Sequence, residues 1–419
     1  LLFLNYFQLQ RSKSIRPINT LAGLYFHIPF CRRRCTYCDF YLVTNRALIE
    51  RFLYALSEEV AARSELFSDE LITTIYFGGG TPSMLSAAQL AHILSLVQKK
   101  FHLDSDLEIT LEANPEDLTD SRLQDYSHVG INRLSIGTQA FNDEKLNLLS
   151  RKHTAAESLA SVERARHWFK NISIDLIFGT EGETLSDWEQ ELETAVSLSP
   201  EHISAYSLTV EPFTRLSKLI ERGKRAHPSE ALQTEMFLLA MNVLETHGFE
   251  HYEVSNYARP NFRSRHNSSY WERVSYLGFG PSAHSFFRQD GKEIRTANAP
   301  RLHRYLENPH GIEDFRETLS DFDRFNETVL LSLRRQEGLA LELLQKKFNF
   351  AALHFQTLNQ TLANFERNGL IMRETKTIKL TRKGFTLADT IASELFITEH
   401  QQPDEAFRTR SNTSCQFNL

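Results

Sequence analysis

A chain of 419 residues, 41% hydrophobic and 24% charged, is too long for one small core, and its composition is that of a water-soluble protein. No apolar run approaches the roughly 18 residues that span a bilayer, and a net charge of −6 gives no overall case for nucleic-acid binding. Four cysteines, three of them within residues 31–38, do not make a disulfide framework; they point to a reducing compartment and a bound metal.

Residues 1–21 form an N-terminal extension, LLFLNYFQLQRSKSIRPINTL, with Arg11, Lys13 and Arg16 and no acidic residue before Asp39. It reads as a fragment or a displaced start more readily than as a targeting peptide, since no cleavage site is obvious. Residues 22–255 then repeat one theme: a short β-rich run ends in polar or Gly-rich residues, and a helical stretch follows. The runs are LYFHIP (24–29), ITTIYFGGG (72–80), LEITLEANP (107–115), NRLSIGTQAF (132–141), ISIDLIFG (172–179) and HISAYSLTVEP (202–212). Helical segments such as ALIERFLYALSEEVAARSELF lie between them, with Phe52, Leu56, Val60 and Leu66 expected on or near one face.

Six strand–helix units with right-handed crossovers predict a parallel sheet curled toward a barrel. The fold class is α/β, a partial (β/α)6 TIM-like barrel with a smaller C-terminal winged-helix-like α+β module. In such barrels chemistry sits where strands end. Cys31, Gly78–Gly80, Glu112, Gln139 and Asp175 are therefore expected at one mouth. Residues 256–319 are a connecting region that carries RHNSSYW. Residues 320–396 read as three short helices, a hairpin (LIMRETKTIKLT) and a last helix, with Gly369 ending the third helix. Such modules bind DNA or simply pack, and the acidic chain favours packing. The polar tail 397–419 is expected to be disordered, with Cys415 a bystander.

Cys31, Cys35 and Cys38 follow C-x3-C-x2-C spacing. A zinc site would want four ligands in a closed shell, with His27 available as the fourth. The alternative is a 4Fe–4S cluster in which three thiolates hold three irons and leave the fourth iron open. A Gly-rich strand end beside it invites a chelating small molecule. Here the sequence resembles the radical S-adenosylmethionine (SAM) proteins. In that family the open iron binds SAM, and one electron cleaves it to a 5′-deoxyadenosyl radical.

YFHIPFC, YFGGGTPS, LEANPEDL, INRLSIGTQAF, LLSRKHT, ISIDLIFG and YLGFG look like the oxygen-independent coproporphyrinogen III oxidase-like branch, over residues 22–396. The resemblance implies SAM contacts at Tyr25, Tyr37, Gly79, Gly80, Thr81, Glu112, Gln139, Arg151 and Asp175. Arg151 can make a charge-assisted bond to the SAM carboxylate, and a strand-end carboxylate can accept bonds from ribose hydroxyls. One departure is TEGET (180–184), where the family has a Leu-Pro-Gly type turn.

The true oxidase of that branch has a fourth cysteine two residues after the third and a longer N-terminal segment. This chain has Phe40 there and about 24 residues before the first strand. Both features resemble the HemW-type haem chaperones, whose H-N-x-x-Y-W signature matches His266, Asn267, Tyr270 and Trp271. An imidazole can ligate haem iron, and Tyr and Trp offer flat apolar surface. His284 is a second candidate ligand. The resemblance implies a haem carrier that delivers to a membrane haem protein. The alternatives are coproporphyrinogen III oxidation or a related radical SAM reaction such as methyl transfer. Arg32, Arg33 and Arg34 form either a solvated edge or a docking patch for an acidic reductant such as a flavodoxin. The expected location is the cytoplasm, or the mitochondrion if residues 1–21 are a transit peptide. The oligomeric state is left open.

Overall fold

The computed structural model describes residues 20–350 and 352–398. The expectations for the first 19 residues, for most of the tail and for Cys415 lie outside the described residues. The chain divides between Thr318 and Leu319 into two units.

In the first unit, strands and helices alternate in chain order: β1 (Thr20–Ile28), α1 (Ile49–Arg63), β2 (Glu70–Gly79), α2 (Ala87–Lys100), β3 (His102–Ala113), α3 (Asp120–His128) and β4 (Arg133–Gln139). They continue with α4 (Asp143–Leu148), α5 (Ala155–Arg166), β5 (Ile172–Phe178), α6 (Leu185–Ser197) and β6 (His202–Ser207). The six strands lie side by side in that order, each parallel to the next. The six expected units are therefore present, in an open sheet.

Period-two alternation gives the sheet two unlike faces. Leu24, Phe26, Ile75, Phe77, Leu111, Leu134, Ile136, Ile172, Ile174 and Ile203 are fully buried. Phe26 stacks between Phe77 and Phe279, with ring centroids 5.2 Å away on each side. The alternate positions are polar: Tyr25, Tyr76, Glu112, Ser135, Asp175 and Ser204. They lie in register, Tyr25 beside Tyr76, Glu112 beside Ser135, and Asp175 beside Ser204.

Helix α1 buries Phe52, Leu56 and Val60 as expected, but Leu66 is 39% exposed and Phe67 takes the inward place. The α-helix stops at Arg63 and a 3-10 turn over Ser64–Phe67 follows. Its tighter pitch changes the phase by one residue. Helices α2, α5 and α6 start in capping boxes built on Ser86, Thr154 and Thr184.

After β6 come α7 (Arg215–Glu221), α8 (Glu230–Thr246), β7 (Glu250–Glu253), β8 (Asn256–Ala258) and α9 (Arg265–Trp271). Next are β9 (Ser275–Phe279), β10 (His284–Gln289), β11 (Lys292–Asn298), α10 (Leu302–Glu307) and β12 (Glu313–Thr318). Residues 256–319 thus extend the sheet rather than merely connect. β8 pairs antiparallel to β6, and β9 pairs parallel to β1. The sheet has twelve strands among the described residues.

The second unit holds α11 (Asp321–Leu333), α12 (Leu341–Lys347), α13 (Ala352–Arg367), a hairpin of β13 (Ile371–Arg373) and β14 (Ile378–Leu380), α14 (Arg382–Phe385) and α15 (Ala388–Glu394). Its core includes Phe325, Val329, Leu333, Leu362, Ile371 and Ile391. Gly369 follows α13 at φ +66, the left-handed turn expected after a helix.

Candidate functional site

The loop after β1 carries the three clustered cysteines. It is pinned at its base, where the Cys31 N–H donates to Val43 O at 2.9 Å and the Val43 N–H to Pro29 O at 2.7 Å. Cys31 is buried and Cys35 and Cys38 half-buried. Cys31 Sγ lies 3.2 Å from Thr81 Oγ1, and Arg151 Nη1 donates to Cys35 Sγ at 3.9 Å. Burial raises the Cys31 thiol. Burial also pushes the Cys38 thiol up to about 11, with Cys35 and Cys31 adding to the rise. Three thiols this close resist losing protons together, and a cationic metal group reverses that balance. The loop therefore fits an iron–sulfur cluster.

His27 is not a fourth ligand. It is buried, with Nε2 2.9 Å from Tyr41 O and Nδ1 3.3 Å from Tyr25 Oη, and desolvation lowers it to about 4. Both ring nitrogens are engaged away from the thiols. Among the described residues no three His, Cys, Asp or Glu side chains converge as a single-ion site.

Phe40 keeps a use for its backbone: its N–H supports the Cys38 sulfur, while its ring is 51% exposed. The arginine run is split. Arg32 is paired with buried Asp117, whereas Arg34 is exposed.

Next to the thiols, β2 ends in the glycine run. A Cβ on Gly80 would lie 2.8 Å from Ile28 O and 2.9 Å from Phe30 O. Gly79 has φ +104, and a Cβ there would meet the His27 ring at 2.7 Å. Only glycine allows this approach of backbone to backbone and to a ligand. Thr81 is buried beside Cys31.

Glu112, at the end of β3, accepts from Tyr76 Oη at 2.8 Å and from the Gly79 N–H at 3.2 Å. Desolvation nonetheless raises its carboxyl to about 7. Asp175 accepts from Ser135 Oγ at 3.0 Å and Ser173 Oγ at 3.2 Å, and burial raises it too. Arg151 donates to Asn114 Oδ1 at 2.6 Å and Gly137 O at 2.7 Å. Its pKa is raised: the nearby Tyr37 and Cys35 favour the charged form against the cost of burial. Gln139 closes β4 at φ 67. Its amide nitrogen would lie 3.0 Å from a Cβ on Gly137, and Arg151 Nη2 3.3 Å from it, so both side chains meet there. Tyr37 packs with Leu149, Ile177, Leu208 and Leu216 under the cysteine loop. Gly79, Gly80, Thr81, Glu112 and Gln139 lie at strand ends or in the Gly-rich turn, Tyr37 and Arg151 beside the cysteine loop, and Tyr25 and Asp175 within β1 and β5 on the polar face of the sheet.

The HNSSYW helix packs against β1 and β2, with His266 beside Tyr25 and Tyr76. The Glu108 carboxylate caps α9, accepting from the His266 N–H at 3.0 Å and the Arg265 N–H at 3.2 Å. His266 is 1% exposed. Its Nδ1 lies 2.8 Å from Thr74 Oγ1 and its Nε2 2.8 Å from Tyr270 Oη. The ring stacks on Tyr76, centroids 4.9 Å apart, and burial lowers it to about 3. His266 is thus a neutral imidazole with both nitrogens engaged, and ligation of a haem iron would cost the bond at the ligating nitrogen. Asn267 donates its N–H to Ser264 Oγ at 3.3 Å, and Tyr270 meets Tyr276 edge-on at 4.6 Å. Trp271 is half-buried at the end of the helix. His284, by contrast, is exposed at the start of β10.

Sequence reasoning missed Tyr76 and Asn114, the residues that position Glu112 and Arg151. Asn114 lies within the quoted LEANP, so only its side-chain direction was hidden. In the TEGET loop, Glu183 pairs with Lys145 at 2.6 Å and accepts from the Thr180 N–H at 2.9 Å. Glu181 pairs with Arg225 at 3.2 Å. The acidic residues close this turn on themselves.

A profile of the radical SAM superfamily matches residues 25–195, and one of the HemN C-terminal domain matches residues 319–387. The chain is 34% identical over 383 residues to heme chaperone HemW of Bacillus subtilis, covering 88% of this chain and 98% of that one. It is 32% identical over 388 residues to radical S-adenosyl methionine domain-containing protein 1, mitochondrial, of Danio rerio, covering 90% and 87%. The solved coproporphyrinogen III oxidase HemN of Escherichia coli shares its fold, with a TM-score of 0.77, 24% identity and 90% of each chain covered. Near end-to-end relatives at this identity, together with the cysteine loop and glycine turn, settle the family: the chain belongs to the radical SAM superfamily and, within it, to the HemW-type proteins.

Proposed function

We propose that this chain is a haem chaperone: it carries haem as cargo to a membrane haem protein, on a scaffold that holds a 4Fe–4S cluster and SAM. The observation that carries the reading is the near full-length match to proteins named heme chaperones. Phe40 agrees with it, because no thiol stands at the position where the oxidase has its fourth cysteine.

Cys31, Cys35 and Cys38 would hold the cluster. When bound, the cluster and SAM supply one-electron chemistry. Arg151, fixed by Asn114 and Gly137, offers a buried cation to a carboxylate. Gly79 and Gly80 bring backbone within reach of the ligand. Glu112, with its carboxyl near 7, can donate or accept a hydrogen bond to a hydroxyl at neutral pH. Tyr25, Tyr37, Thr81, Gln139 and Asp175 complete the wall. Exposed Arg34 suits docking of an acidic reductant such as a flavodoxin. No helix among the described residues is long and apolar enough to cross a membrane, so delivery would use a membrane partner. A cytoplasmic location is part of this proposal.

The test is an anaerobic haem titration of the cluster-loaded protein, following the Soret band, with a parallel assay of coproporphyrinogen III. Saturable one-to-one binding without porphyrinogen conversion is expected. Absence of specific haem binding, or robust conversion, would overturn the reading.

A further inference from the structure

Beside the cysteine loop lies an open groove of about 590 Å³, within the range of small-molecule sites. One wall is the chain after Cys38, with Leu42 and Leu48; the other is α10, with Leu302 and Leu306. Tyr41 ties the walls together, since its hydroxyl accepts from the Leu302 N–H at 2.6 Å. Its carbonyl lies 2.9 Å from Nε2 of buried His27. The groove is thus anchored to β1 rather than left to a loose loop.

Its polar lining comprises Tyr41, Thr44 and Asn45 together with two cations and one imidazole. Arg34 and Arg51 both line it and both are exposed. His303 also lines it, with its side chain 88% exposed. Glu307, one turn on, sets a carboxylate oxygen 3.5 Å from His303 Nδ1. Apolar walls, two cations and one accessible imidazole match a flat apolar ligand with two carboxylates and a central metal.

We propose that this groove seats haem, with His303 as the axial ligand and Arg34 and Arg51 paired to the two propionates. The assignment rests on the haem-carrier reading and names its site. It gives the iron an accessible imidazole, which buried His266 does not offer. Arg34 adjoins Cys35, so cargo and cluster share one loop.

The experiment is the anaerobic haemin titration of the full, cluster-loaded chain, repeated with His303→Ala, Arg51→Glu, His266→Ala and His284→Ala, and with iron-free protoporphyrin. The groove residues changed are exposed, so folding is not at stake for them. His303→Ala is expected to move the Soret maximum and weaken haem by about tenfold or more, as loss of an iron ligand should. It should leave iron-free protoporphyrin unaffected. Arg51→Glu should weaken both ligands about tenfold by replacing attraction with repulsion. His266→Ala and His284→Ala should leave the Soret position unchanged. If the parent binds haem and His303→Ala alters neither band nor affinity, the site is overturned while the carrier reading stands. A Soret shift in His266→Ala or His284→Ala alone, or porphyrin binding indifferent to Arg51→Glu, overturns it too. Failure of the parent to bind haem removes the carrier reading itself.

Discussion

Glu112 accepts from the Tyr76 hydroxyl, His266 stacks on the Tyr76 ring, and burial shifts the two in opposite directions. Burial raises the Glu112 carboxyl from its ordinary 4.5 to about 7 in the fold. Its stabilising contribution is therefore full below pH 4.5 and is lost as pH rises through 7. His266 has a folded pKa of about 3 against 6.5, so the fold loses stability as pH falls from 6.5 toward 3. Glu112→Gln keeps an acceptor for the Gly79 N–H but cannot ionise. It should flatten the stability profile between pH 4.5 and 7 and raise cofactor-free stability at pH 8 by up to about 3 kcal/mol. Urea unfolding at pH 5 and pH 8 checks this; an unchanged difference between the two pH values would refute the assignment. His266→Ala should cost roughly 2–4 kcal/mol, because it leaves a cavity and strands the Thr74 and Tyr270 hydroxyls. A stability within about 0.5 kcal/mol of the parent would mean that His266 is not part of the packed interior.

At the scale of elements, the turn from β2 into Thr81 fixes the site. The close neighbours of a Gly80 Cβ are backbone atoms, Ile28 O and Phe30 O, which cannot rotate away. Gly80→Ala should therefore push β1 and the cysteine loop apart, at a cost of about 1–3 kcal/mol in strain, and lower iron and sulfide content after reconstitution. Full loading in that variant would show that the loop tolerates the displacement. This turn was legible in the sequence, because glycine runs and cysteine spacing are local signals. So were the six strands, whose ends were read to within five residues. The position of α9 was not legible. RHNSSYW reads as a haem-contact signature in a connecting region, yet Glu108, distant in sequence, caps it and Thr74 meets its imidazole. Such contacts come from the register of β2 and β3 and have no local signature. The groove at His303 was hidden for the same reason, since its walls are some 260 residues apart. The phase slip from Leu66 to Phe67 shows a smaller limit: periodicity holds only while the helix stays α.

For the whole molecule, the fold shared with the Escherichia coli oxidase does not decide the reaction, because one scaffold hosts many chemistries. The second unit poses the same question in miniature, since winged-helix-like modules either bind DNA or pack. Its core is built from its own residues: Phe325, Leu333, Leu362 and Ile391 are all nearly inaccessible, and Leu339 pairs with Ile378 of the hairpin. Two of the three hairpin cations are matched, Arg373 with Glu366 at 3.0 Å and Lys379 with Glu374 at 2.8 Å, while Lys376 is exposed in the turn. Residues 319–398 expressed alone should thus unfold cooperatively, with a stability of about 3–5 kcal/mol typical of so small a core. Duplex DNA should bind them no better than about 10⁻⁴ M at physiological salt, the weak end of non-specific binding. Thermal unfolding by circular dichroism and a salt-dependent anisotropy titration measure the two halves of this expectation. A non-cooperative melt would mean that the core depends on the rest of the chain. Tight binding with a steep salt slope would mean that the paired cations are released to phosphate, and that this unit does more than pack.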